Sequence, residues 1–154
     1  DTTTIPAGNY HYENVALSSS ATLMIEGNTN IYVSSQIYIT GTAKIVTGPN
    51  VKLYIRGNAD FGGQGIINSS GVPSNLQIYG LGSGTTIKYA GGSDFYGAIY
   101  APECNVSTGG NSSIFGAIVG NNVTLSGTGA LHYDERLSEN GPSQGFTIVY
   151  WQEN

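Results

Sequence analysis

The chain has 154 residues and a formal net charge of −5, with five Lys and Arg against ten Asp and Glu. A nucleic-acid binder needs a basic stripe to displace counterions, and five cations at a pI of about 4.7 argue against that class. No apolar run approaches the ~20 residues that cross a bilayer, so this segment itself is expected to make no membrane contact. Gly, Ser and Pro number 23, 16 and 5, a bias that without a period would mark low complexity. Against disorder stand 39% hydrophobic residues and 11 Tyr. Small polar residues with few Lys suit an extracellular β-protein better than a cytosolic enzyme.

In chain order, short alternating runs recur. They are Val15-Ala16-Leu17, Leu23-Met24-Ile25, Ile31-Tyr32-Val33, Ile37-Tyr38-Ile39, Leu53-Tyr54-Ile55, Leu76-Gln77-Ile78 and Val123-Thr124-Leu125. Alternation buries one face of each short strand. Gly27-Asn28, Gly57-Asn58, Gly110-Asn111 and Gly120-Asn121 supply the positive φ of tight corners between them. No helical i, i+3, i+4, i+7 pattern persists.

The runs also repeat at longer range. Phe95-Tyr96-Gly97-Ala98-Ile99-Tyr100 returns as Ile114-Phe115-Gly116-Ala117-Ile118-Val119, 19 residues on, and Tyr32 to Tyr54 is 22. The same alignment sets Gln77 beside Tyr54 and Tyr100. A second series runs through Leu17, Ile39, Ile87, Val106 and Leu125, without a clean member near Phe61. A third runs through Leu23-Ile25, Lys44-Val46, Ile66-Ile67, Ile114 and Leu131. Three strand series returning about every twenty residues describe an all-β fold: a single-stranded, three-faced, right-handed parallel β-helix of about six coils. Ile31, Val33, Leu53, Ile55, Leu76, Ile78, Ile99 and Ile118 should face inward. Residues 1–135 form the coils. Residues 136–154, with Phe146 to Trp151, form a C-terminal cap or side-covering strand of the same domain. The 19-residue offset sets Cys104 on Val123 and Val106 on Leu125, making Cys104 a small core residue rather than a reactive thiol.

Phe95-Tyr96-Gly97-Ala98-Ile99-Tyr100-Ala101-Pro102, its copy at Ile114–Gly120, Val123-Thr124-Leu125-Ser126-Gly127 and Leu131-His132-Tyr133-Asp134-Glu135 together resemble a bacterial β-helical domain of unknown function. That domain is found near the C-terminus of PilX-like, type IV pilus-associated and other surface proteins. Trp151-Gln152-Glu153 is similar to its closing tail and Gly8-Asn9-Tyr10-His11-Tyr12 to its first coil. The resemblance implies a cell-surface location, partners in a pilus or surface assembly, and a pilin-like segment ahead of Asp1. It transfers no catalytic residue, and Cys104 departs from its usual small polar residue or Ala.

Enzymatic chemistry finds little support. A glycosidase needs two carboxylates about 5–10 Å apart, and Asp1, Asp60, Asp94 and Asp134 lie in different series. His132-Tyr133-Asp134-Glu135 is the densest polar cluster, read as the last corner, where His and Asp bond the open edge. His11-Tyr12-Glu13 has the same reading at the other end. One His among carboxylates makes a poor metal site, so neither metal nor cofactor is expected. The sequons at Asn68, Asn105, Asn111 and Asn122 are no more than chance supplies.

The outward face carries the functional expectation. If Ile31, Leu53, Leu76 and Ile99 point in, then Tyr32, Tyr54, Gln77, Tyr100 and Val119 point out as one aromatic-rich column. It either stabilises the sheet or serves as a contact face for a protein or a surface glycan. The function expected is a non-catalytic extracellular module that presents this face for adhesion or assembly. The alternatives are a self-assembling filament subunit and a carbohydrate-binding or carbohydrate-active β-helix.

Overall fold

The computed structural model describes residues 1–140. Their strands are β1 (Thr2–Ile5), β2 (Gly8–Leu17), β3 (Thr22–Ile25), β4 (Thr29–Ile39), β5 (Lys44–Thr47), β6 (Val51–Ile55), β7 (Ala59–Phe61), β8 (Gly65–Asn68), β9 (Leu76–Gly80), β10 (Thr86–Tyr89), β11 (Phe95–Thr108), β12 (Ile114–Leu125) and β13 (Leu131–Tyr133). A 3-10 turn at Pro73–Asn75 precedes β9, and a short helix α1 (Leu137–Asn140) follows β13.

Every pairing among these strands is parallel. The order β1-β3-β5-β8 makes one face. The long strands bend and serve two further faces. The first half of β4 pairs with β6 and its second half with β7, while β11 pairs with β9 and then β10. The result is the expected β-solenoid of about six coils, three strand runs to a coil. Of the residues read as inward, Ile31, Val33, Leu53, Ile55, Leu76, Ile78 and Ile99 are all at most 2% exposed, and only Ile118 is partly open.

Of the four Gly-Asn corners expected to have positive φ, Asn28 and Gly110 have it, whereas Gly57-Asn58 and Gly120-Asn121 do not, the last lying within β12. Asn28 and Asn50 sit at φ 58° and 57°, where most side chains are strained. Asn50 Nδ2 donates to Asn28 Oδ1 at 2.8 Å, so one corner stacks on the next. Asn30 to Asn9 at 2.8 Å and Asn122 to Asn105 at 3.0 Å repeat the device.

Three alignments differ from the sequence reading. First, Gln77 pairs with Lys52 and Ala98, and Tyr79 pairs with Tyr54 and Tyr100. The turn after β8 lengthens this coil by two residues more than the Tyr54–Gln77 spacing allows. Second, the inward series on the third face splits into two columns. Leu17, Ile39, Phe61, Tyr89, Thr108 and Leu125 share one, and Val15, Ile37, Ala59, Ile87, Val106 and Val123 the other. Phe61, passed over as irregular, is fully buried. The bend of β11 between Ala101 and Asn105 is longer than that of β12, so Val106 meets Val123 rather than Leu125. Cys104 lies inside that bend, off Val123 but still 0% exposed, its Sγ 3.0 Å from the Gly82 carbonyl. Third, Ile45 continues Leu23 toward Ile66, while Lys44 and Val46 flank it half-exposed. Ile114 and Leu131 instead stack on Phe95.

Candidate functional site

Because β4, β6, β9 and β11 stack in register, their outward side chains form columns. Tyr32, Tyr54, Tyr79 and Tyr100 follow one another along the second face, with His11 before them and Val119 after. His11 meets Tyr32 edge-on at 5.1 Å. Tyr54 and Tyr79 stack at 4.8 Å and 11°, and Tyr79 meets Tyr100 edge-on at 6.4 Å. Such pairs contribute roughly 0.5–1.5 kcal/mol beyond area burial. All four tyrosines are partly exposed. Burial, with the neighbouring Tyr54 second, raises the Tyr79 phenol above its ordinary value.

The predicted face therefore forms, with one member replaced. Gln77 is only 7% exposed and belongs to the column beside it. Its Oε1 accepts from Tyr79 Oη at 2.9 Å, and its Nε2 donates to the Ser74 carbonyl at 3.3 Å. Tyr79 takes the place assigned to Gln77. Matching tyrosine to tyrosine, rather than aliphatic to aliphatic, would have found it.

A second aromatic ladder was not foreseen. Tyr96, Phe115 and His132 stack at 4.6 Å per step, with interplanar angles of 6° and 10°. They line an open cleft of about 460 Å³ with Gly71, Pro73 and the turn from Tyr133 to Arg136. Asn68 fastens the loop beside it, donating from Nδ2 to the carbonyls of Val72 at 2.8 Å and Tyr96 at 2.9 Å. The Asp134 N–H reaches the Gly116 carbonyl at 3.3 Å, extending the backbone ladder past β13, and the chain turns at Glu135 and Arg136. His132, however, contributes a ring to the aromatic ladder. At the other end His11 faces outward to Tyr32, while Tyr12 stacks on Tyr10 at 6.2 Å and packs against the core.

Three of the four aspartates, Asp60, Asp94 and Asp134, have structural partners. Asp60 pairs with Lys88 at 3.2 Å. Asp94 accepts from the Ser113 N–H at 2.7 Å, and Asp134 from the Arg136 N–H at 3.1 Å and Nε at 3.3 Å. Among the described residues no group of three or more His, Cys, Asp or Glu could hold a metal ion, and no helix is long and apolar enough to cross a membrane. Of residues 136–154, expected to cap or cover the coils, Arg136 and α1 are described and Leu137 is buried. Phe146 to Trp151 and the Trp151-Gln152-Glu153 tail lie outside the described residues.

Residues 1–140 match a family described as a domain of unknown function, DUF7305, and the chain belongs to that family. No curated protein and no solved structure matches the chain.

Proposed function

We propose that this DUF7305 domain is a non-catalytic, extracellular structural and interaction module of a pilus-associated or surface-anchored bacterial protein. Its contact surface is the outward tyrosine column of the second face. The observation that carries the reading is the register Tyr32–Tyr54–Tyr79–Tyr100, four partly exposed rings held in line by a continuous parallel ladder. A ladder of this kind is ordered before it binds, so a partner does not have to offset the cost of fixing it. Tyrosine supplies apolar area with a polar edge, which suits either a protein surface or the ring faces and hydroxyls of a surface glycan.

Changing Tyr32 and Tyr54 together to Ser in the full-length surface protein tests this. Adhesion or assembly should be lost while the melting temperature falls by only a few degrees. Unchanged adhesion with a lowered melting temperature would assign the column to sheet stability alone.

A further inference from the structure

We propose that copies of this chain dock end to end, the open edge of β12 in one copy pairing in parallel with the open edge of β2 in the next. The buried columns of the third face run off both ends of the solenoid. Ile37, Ala59, Ile87 and Val106 are at most 3% exposed, but the last members of the two columns, Val123 and Leu125, are 43% and 53% exposed. At the other end Val15 and Leu17 are only half-buried. Among the described residues β2 pairs only with β4, and the stretch of β12 from Ala117 to Leu125 pairs only with β11. Unpaired strand edges are templates for another chain.

The two edges match. Each is a stretch of nine residues, Asn9–Leu17 and Ala117–Leu125, following a glycine with φ of 153° and 150°. Each reaches the bend with a single intervening residue, Glu13 between Tyr12 and Asn14, and Asn121 between Gly120 and Asn122. The other long strands differ, for β4 places Ser34 and Ser35 there and β11 places Pro102, Glu103 and Cys104. After the bend both edges read Asn-Val-x-Leu. Docked in register, Asn122 meets Asn14, Val123 meets Val15 and Leu125 meets Leu17. The asparagine contact repeats the one already made inside the chain between Asn105 and Asn122.

On the first face the incoming rung is already held by β13. The outermost strand of the next copy, β1, has three of its four residues exposed and gives way. Leu131 of β13 then offers an apolar side chain where β1 offered Ile5. The contact is heterologous and adds each copy along the solenoid axis of the one before, so it does not close into a ring and generates a filament.

The test uses two substitutions that block opposite ends, Val15→Lys and Val123→Lys. Sedimentation of the unaltered chain should show species growing with concentration from the 16.1 kDa single chain. Each variant alone should stop assembling into long species, and an equal mixture of the two should form a one-to-one pair through the unblocked ends. Circular dichroism identifies variants that keep the fold, and Leu17→Lys with Leu125→Lys provides a second pair. A single chain at every concentration, growth unaffected by either folded variant, or a mixture that forms no pair would each overturn the proposal. The readout is mass, so it stands or falls separately from adhesion through the tyrosine face.

Discussion

Replacing Phe61 by Ala tests whether the third-face column is a continuous core that ends at the last coil. Phe61 is 0% exposed, paired in register with Ile39 and Tyr89, its ring 6.4 Å from the Tyr89 ring. Coils on both sides fix these neighbours, so the cavity has little freedom to collapse. Burial of this kind sets the cost of Phe→Ala at about 3–5 kcal/mol. For a chain of this size each kcal/mol moves the melting temperature by about 2–4 °C, so a fall of roughly 10 °C is expected. Leu125→Ala truncates the terminal member of the same column. Leu125 is 53% exposed, so its removal forfeits at most half of the roughly 1.5–3 kcal/mol that full burial of a Leu provides and leaves no enclosed void. Its melting temperature should fall by no more than about 6 °C. Calorimetry on dilute protein, where chains are separate, measures both. Equal falls for the two variants would refute the reasoning, because they would require the last coil to be covered as fully as the third.

Burial pushes the Tyr89 phenol well above its ordinary value; a hydrogen bond from the Ile66 backbone works against this, and the charge of Asp94 adds to it. The unfolded chain then releases this proton first, near pH 10. Stability is therefore full below that pH and declines above it. Alkaline titration of phenolate absorbance should show Tyr89 ionising only as the protein unfolds, and Tyr89→Phe should flatten that decline. Cys104, enclosed with its Sγ against Gly82, should react with alkylating reagents only at the unfolding rate; rapid labelling of folded protein would contradict its place in the bend. Asn28→Ala should cost about 1–2 kcal/mol for the positive φ alone, and Asn28→Gly measurably less, because glycine accepts that backbone. Urea unfolding of the two variants measures the difference, and equal loss would place the cost in the Asn50 hydrogen bond instead.

What was legible in the chain followed from strict alternation. Leu53-Tyr54-Ile55 can bury only one side, and a turn must follow because the next run points elsewhere. Those two rules suffice for the solenoid and for most of its inward residues. Register is different, since strand periodicity is two. Sliding Leu76-Gln77-Ile78-Tyr79 by two residues leaves every apolar side chain inside, so nothing in the pattern separates Gln77 from Tyr79 as the neighbour of Tyr54. What decides is the length of the turn through Pro73–Asn75, and turn length is not written in alternation. The same holds at Cys104, where a longer bend moved Val106 from Leu125 to Val123, one apolar partner for another, and set Thr108 against Leu125.

Alternation also tells which way a side chain points without telling what covers it. Val123 and Leu125 obey the inward pattern as strictly as Ile37 and Ile39, yet about half of each is open. An inward residue is a core residue only when a coil lies on either side. In a solenoid the first and last coils therefore carry core-type sequence on faces that the chain's own coils leave uncovered. The matching nine-residue edges of β2 and β12 give that surplus apolar surface a specific complement, and so make the ends of this rod, as well as its tyrosine face, places where function has to be sought.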